Sequence, residues 1–125
     1  MKEYIASLEK EFSLIENGFK EEEKRALTDY KSNDNEYAKN LAFLAYKSDT
    51  YQVRMYGVFL FGYLSEQDDI LAFMKDEVSK DDNWRVQEVL AGPIVLLNWH
   101  LYPLFTCILS LSSVYTTLNT ILSLR

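Results

Sequence analysis

Apolar side chains recur every three or four positions through the first 91 residues. This spacing lines one face of an α-helix, and no stretch shows the sustained two-residue alternation of a strand. The first such apolar face consists of Ile5, Leu8, Phe12 and Ile15. It predicts a helix that ends at Asn17-Gly18. Residues 1–91 are therefore predicted to be all-α.

Five more helices are predicted from turn and capping residues that precede apolar faces. A weaker face around residues 26–30 gives the second helix. The later helices are predicted to start at residues 32–35, at Asp49 or Thr50, at Ser65 with Asp68, and at Asp82 or Asn83. The face of the fifth helix comprises Ile70, Met74 and Val78. The predicted core contains Val53, Val58, Leu60, Val89 and Leu90.

Charge divides the chain into two unequal parts, because 31 of the 32 charged side chains lie in residues 1–91 and the other is Arg125. The first part carries 12 basic and 19 acidic residues, a net charge of −7, which argues against indiscriminate binding of nucleic acid. Gly92-Pro93 marks the boundary with a pair that is expected to stop a helix. We therefore expect a partial helical repeat domain in residues 1–91 and an atypical apolar tail in residues 92–125.

A repeat with a spacing of 31 residues underlies the predicted helices. The aligned positions are Val53-Arg54 with Trp84-Arg85, Met55 with Val86, Val58 with Val89, and Phe59 with Leu90. Helix pairs of about this period stack into a solenoid, in which each pair buries its apolar face on its neighbours. The predicted fold is a HEAT-like helical repeat solenoid, an α-α superhelix, and a plain helical bundle stays open as the alternative.

Two segments resemble the DNA alkylation repair family of HEAT-like glycosylases, namely YQVRMYGVFLFGYLS at residues 51–65 and DDNWRVQEVLA at residues 81–91. The resemblance covers residues 35–91. It implies helical repeats whose concave surface grips double-stranded DNA. It also implies removal of purines that carry a positive charge from alkylation at N3 or N7.

In that family an aromatic residue and a carboxylate one helical turn later are central, and the resemblance gives these catalytic roles to Trp84 and Glu88. A spacing of four residues puts both side chains on one helix face. The family usually has Asp at the second position, so Glu88 departs from the pattern. An indole face attracts a cationic base, and a carboxylate stabilises oxocarbenium character or orients the attacking water. From the residues alone, Trp84 could instead anchor the helix start, with Glu88 one of many solvated acids.

Other charged residues have simpler interpretations. Arg54 is expected to pair with neighbouring carboxylates. Arg85 adjoins the suspected site, so a DNA phosphate contact and a structural ion pair are both open for it. The run Glu21-Glu22-Glu23 is interpreted as a solvated helix face.

The apolar tail admits three interpretations. It could be a transmembrane helix over residues 101–122, a buried terminal hairpin, or out-of-frame translation after a frameshift in a longer gene. We favour the third, because it explains the loss of charge and of resemblance at a single point. This interpretation implies a truncated repair protein with little glycosylase activity. No metal or cofactor is expected, since His100 stands beside no cysteine or carboxylate cluster and no zinc-binding spacing appears. Cys107 lacks a nearby base or cation and is interpreted as a buried apolar residue.

A cytoplasmic location is expected, because Cys107 has no partner for a disulfide and the N-terminus lacks the apolar region of a secretory signal. The expected partner is double-stranded DNA with alkylated purines, in a base excision repair role, and a membrane is not expected. The alternative is a non-catalytic HEAT-like module that holds a protein partner, which the net charge of −7 favours.

Overall fold

The structure is a computed structural model that describes the backbone of residues 1–97 and the side chains of residues 1–91. The described residues form six α-helices and one 3₁₀ turn, with no strand, so the all-α prediction is confirmed. The helices are α1 (Lys2–Phe12), α2 (Lys20–Ser32), α3 (Asn35–Tyr46), α4 (Tyr51–Tyr63), α5 (Asp68–Asp76) and α6 (Trp84–Leu97), and the 3₁₀ turn is Val78–Lys80.

The core is organised around α4, which packs against all five of the other helices. Between Gln52 and Gly62 every residue of α4 is buried except Arg54, so this helix is enclosed on nearly all sides. A helix that is apolar all round belongs in the interior of a helical assembly. The predicted core is confirmed, since Val53, Val58, Leu60, Val89 and Leu90 are each at most 1% exposed.

The backbones of α3 and α4 approach closely at Gly57. A Cβ atom at this position would lie 3.1 Å from the carbonyl oxygen of Ala42 and 3.2 Å from both the Ala45 Cβ and the Tyr46 nitrogen. These distances are tighter than ordinary van der Waals contact. Glycine therefore lets α3 settle directly onto α4.

Two of the predicted helix caps are confirmed by hydrogen bonds. The Oδ1 atom of Asp34 accepts from the Tyr37 N–H of α3 at 2.7 Å. The Oδ1 atom of Asn83 accepts from the Arg85 N–H of α6 at 2.9 Å. Thr50 lies at the N-cap position of α4, but its hydroxyl makes no capping hydrogen bond.

The predicted capping box of α5 is wrong. The hydroxyl of Ser65 donates back to the carbonyl oxygen of Gly62 at 2.9 Å, so Ser65 closes the end of α4 and α5 begins after Gln67. A serine hydroxyl between two helices can bond to a carbonyl group of the preceding helix or to an N–H group of the following one. Here it bonds to the carbonyl group of the preceding helix. Val78, expected on α5, lies in the 3₁₀ turn.

The first helix is shorter than predicted, because α1 ends at Phe12 and Ile15 lies in the following turn. The carbonyl oxygen of Ile15 accepts a hydrogen bond from the Gln52 side-chain amide of α4 at 2.9 Å. This bond holds the residues that follow α1 against α4. Gly18 then adopts a φ of +78°, a left-handed conformation that favours glycine.

The prediction that Gly92-Pro93 stops a helix is also wrong, because α6 runs through this pair to Leu97. A proline inside a helix removes one N–H donor and crowds the carbonyl group four residues before it, so the helix continues through this pair at an energetic cost. The division into a repeat domain of residues 1–91 and a tail of residues 92–125 remains a prediction. The three interpretations of the tail, and those of His100 and Cys107, lie outside the described residues.

Within the part of the chain that the structure describes, no helix is both long enough and apolar enough to cross a membrane.

Candidate functional site

The start of α6 is fixed to the core by the carboxylate of Asp81. This carboxylate accepts from the Tyr46 hydroxyl at 2.7 Å, from Arg54 Nε at 3.1 Å and from the Asn83 N–H at 2.9 Å. The Gln87 side-chain amide donates to the Asp81 carbonyl oxygen at 2.5 Å. Burial and then the bond to Asp81 raise the pKa of Tyr46, so its hydroxyl stays a donor. The structural pairing predicted for Arg54 is confirmed.

Directly after this anchored loop, α6 presents Trp84, Arg85 and Glu88. The indole of Trp84 is 60% exposed, whereas Arg85 and Glu88 are half-buried. The Arg85 guanidinium carbon lies 5.2 Å from the centre of the Trp84 ring, within the range of a cation–π contact. Among residues 1–91 Arg85 forms no ion pair, so the guanidinium rests on the indole.

The three side chains line one pocket of about 130 Å³. Its other walls come from the α1–α2 loop and from α4, so segments distant in sequence enclose it. The lining residues are Gly18, Phe19, Met55, Trp84, Arg85 and Glu88. The structure thus brings all three of the predicted site residues together.

Gly18, Phe19 and Met55 are lining residues that the sequence analysis missed. The left-handed Gly18 turns the chain so that Phe19 starts α2, and the Phe19 ring packs on Phe59 with 5.7 Å between ring centres. Met55, only 1% exposed, lies between this loop and α6. The sequence marked Gly18 only as a helix stop, and no local signal placed its loop beside a helix 65 residues further along the chain.

The aligned repeat positions differ in their surroundings at the start of α6. The pairs Met55 with Val86, Val58 with Val89 and Phe59 with Leu90 are buried in both copies, which supports the 31-residue register. Val53, however, is fully buried, while its counterpart Trp84 is exposed. Arg54 pairs with Asp81, while its counterpart Arg85 covers an indole. The second copy of the repeat, in α6, therefore keeps the buried positions of the first copy. Its first two side chains, Trp84 and Arg85, line the pocket instead.

The interpretation of Glu21-Glu22-Glu23 as a solvated face is wrong for the middle residue. Glu21 and Glu23 are exposed, but Glu22 is 0% exposed, and neither oxygen of its carboxyl group has a hydrogen-bond partner. Burial raises the pKa of Glu22 to about 7, and the positive charge of Arg85 acts in the opposite direction. This carboxyl group follows Phe19 by one helical turn, so it lies close behind the pocket wall.

The pocket combines the indole of Trp84 with one guanidinium and one carboxylate at its surface. An indole face and a carboxylate both favour a positively charged, planar ligand, whereas the guanidinium favours an anion such as phosphate. Within residues 1–91 no cluster of side chains is suited to hold a metal ion.

The fold and the pocket together define the class, a HEAT-like helical repeat protein with a candidate ligand site at the start of a helix. The chain is similar to AlkD2 from Streptococcus mutans, whose crystal structure is 63% identical and matches with a TM-score of 0.79. A crystal structure of smu.31 from Streptococcus mutans UA159 is 60% identical, with a TM-score of 0.75. The HEAT-like fold is thereby confirmed.

Each match covers 94% of this chain and 58% of the other, so the chain spans less than two thirds of the length of either protein. Comparisons with protein-family models and with curated proteins gave no match.

Proposed function

We propose that this chain acts in DNA repair and that its pocket receives a purine made cationic by alkylation at N3 or N7. Three observations support the proposal. The segments at residues 51–65 and 81–91 resemble the DNA alkylation repair family, and the similarity to AlkD2 is consistent with that family. The third observation carries the most weight, because Trp84, Arg85 and Glu88 line one pocket.

Each side chain has a role that its chemistry suits. The exposed indole of Trp84 would stack on the cationic base. Glu88, one helical turn away, would stabilise positive charge on the sugar as the C1′–N bond breaks. The electron pair of that bond neutralises the departing base, and the oxygen of a water molecule bonds to C1′ as the water gives up one proton to the Glu88 carboxylate. Arg85 would contact a flanking phosphate.

The charge of the described helices limits how tightly DNA can bind. Residues 1–91 carry 12 basic and 19 acidic side chains, and phosphate contacts require basic ones. Among the basic side chains, Arg54 is held by Asp81 and Arg25 by Glu11. We therefore expect weak binding and slow excision.

The test is release of 7-methylguanine from methylated duplex DNA at low salt, with protein in excess so that slow excision is measurable. We expect release above that of DNA alone. Glu88→Gln should reduce the rate at least tenfold without changing DNA affinity, and Trp84→Ala should reduce both. The matched controls Tyr37→Ala and Glu66→Gln, exposed residues of the same types outside the pocket, should leave both unchanged.

The second candidate function is a non-catalytic module that binds a protein partner, and the net charge of −7 in residues 1–91 favours it. The same experiment separates the two candidates. Absence of any preference for methylated over unmethylated duplex, with release equal to that of DNA alone, would overturn the repair proposal and favour the protein-binding module.

A further inference from the structure

Glu22 is a carboxyl group that packing alone does not explain. It is fully buried in α2, and both of its oxygens lack a hydrogen-bond partner among residues 1–91. A buried polar group without a partner destabilises a fold, and an apolar side chain of similar size would avoid the penalty. The position is therefore better explained by a partner that reaches the carboxyl group in another arrangement of the site.

Helix geometry places this carboxyl group close to the turn that lines the pocket. Side chains on a helix lean toward its N-terminus, which for Glu22 is the turn that contains Gly18 and Phe19. Both of these residues line the pocket, and Arg85 lines it from α6. Two charged groups of residues 1–91 act on Glu22, namely Glu21 on the same helix and Arg85 across the pocket. Arg85 is the one with the opposite charge.

Arg85 occupies the surface that a planar ligand would need. Its guanidinium lies over the Trp84 ring at 5.2 Å, and among residues 1–91 it has no carboxylate partner. If a base is to stack on this indole face, the guanidinium must move off it. A displaced guanidinium and an unpartnered carboxyl group behind the wall of the same pocket are complementary.

We propose that Glu22 is a positioning residue, whose carboxylate receives the Arg85 guanidinium when a planar ligand takes the place of Arg85 on Trp84. The identity of that ligand rests on the proposed function, but the pairing of Arg85 with Glu22 does not. Pairing favours the ionised form of Glu22, whose pKa of about 7 leaves much of it protonated near neutral pH. Arrival of the ligand therefore lowers the pKa of Glu22 and releases a proton.

The pairing can be tested without DNA by removing the indole, which frees Arg85. The pKa of Glu22 is measured by NMR on protein with carbon-13 in the glutamate side-chain carboxyl groups, and Glu22→Gln assigns the signal. In Trp84→Ala we expect the proton affinity of Glu22 to fall at least tenfold. The exposed-aromatic control Tyr37→Ala should leave it unchanged.

A second variant separates pairing from access of water. Removal of the indole could by itself hydrate Glu22, so the titration is repeated on Trp84→Ala/Arg85→Ala. The pairing predicts that the double variant regains a proton affinity at or above that of the wild type. An unchanged pKa in Trp84→Ala, or an equally low pKa in the double variant, would overturn the proposal.

A third titration adds a duplex that contains one 7-methylguanine. Saturation with this duplex should lower the pKa of Glu22 in the wild type and leave it unchanged in Arg85→Ala. If the duplex binds the wild type without changing this pKa, Glu22 is not a positioning residue. If the duplex does not bind at all, the proposed function fails, while the titrations without DNA still decide whether Arg85 and Glu22 pair.

Discussion

Three consecutive glutamates in the first turn of α2 have different surroundings because a helix turns about 100° with each residue. Glu21 and Glu23 face water, where a negative charge near a helix N-terminus is favourable. Glu22 faces the interior between them, where its side chain is fully buried and ionisation requires loss of water. The same residue type is therefore favourable at two positions and unfavourable at the third.

The stability of the fold should depend on pH through Glu22. Its pKa is raised from 4.5 to about 7 in the folded chain, so the folded state holds a proton that the unfolded state has lost between these values. The contribution of Glu22 to stability is therefore greatest below pH 4.5 and falls as the pH rises to 7, by about 3 kcal/mol for a change of this size. Glu22→Gln should remove this loss, so we expect the variant to be the more stable protein at pH 8.

The measurement is urea unfolding of both proteins at several pH values between 4.5 and 8. The free energy difference between Glu22→Gln and the wild type should grow with pH, and the exposed control Glu23→Gln should show no such trend. A constant difference across this range would mean that burial does not raise the pKa of Glu22 in the folded protein.

At the level of helices, the position of α6 depends on a loop side chain rather than on an apolar contact of Trp84. Asp81 joins the end of α3, the start of α4 and the start of α6 through Tyr46, Arg54 and Asn83. Asp82 also approaches Arg54, at 3.4 Å, but its side chain is 96% exposed. Adjacent aspartates therefore contact one guanidinium from very different surroundings, and they provide a matched pair of variants.

Asp81→Asn should destabilise the protein by about 2–3 kcal/mol, because it leaves a half-buried arginine without its main counter-charge. Asp82→Asn should stay within about 0.5 kcal/mol of the wild type, as expected for an exposed ion pair. Urea unfolding measures both. Equal effects of the two substitutions would show that Asp81 does not hold α6 through Arg54.

The helices and caps that the sequence predicted depend on neighbours within about four residues, as with Asp34 and Asn83. The errors arise where a distant residue competes with a local one. The side-chain amide of Gln52 in α4 donates a hydrogen bond to the carbonyl group of Ile15, a residue that was expected to belong to α1. Glu22 was predicted to be solvated because its neighbours in sequence are charged. It is fully buried in the structure, in a helix that packs onto α4. Periodicity could not reveal either result.

At the scale of the whole molecule, the pocket exists only because three separate segments meet. The motif at the start of α6 predicted Trp84 and Glu88 from resemblance and spacing, but the opposite wall at residues 18–19 has no motif. Beside this wall, the first turn of α2 carries the exposed acidic residues Glu21 and Glu23 next to Lys20 and Lys24. The net charge of the chain and the local charge at the pocket can therefore affect DNA binding separately.

Two double variants with the same change in net charge separate these effects. Glu21→Gln/Glu23→Gln removes acidic groups beside the pocket. Glu36→Gln/Glu66→Gln removes them at the start of α3 and just beyond the end of α4, the opposite ends of these helices from the Asp81 loop. Along α4, the helix rise puts about 12 Å between Met55 of the pocket and Tyr63, and Glu66 lies beyond Tyr63.

The affinity for a fluorescent duplex should respond to the two double variants differently as salt changes. At an ionic strength of about 0.01 M charges act over about 30 Å, so both double variants should bind more tightly than the wild type. At about 0.1 M they act over about 10 Å, and only the pocket pair should keep its effect. Two charges about 8 Å from phosphates contribute about 0.5 kcal/mol each in water before screening, and screening at about 0.1 M reduces the combined effect to about twofold tighter binding. Equal affinities of the two double variants at the higher salt would mean that DNA does not lie against the pocket side of α2.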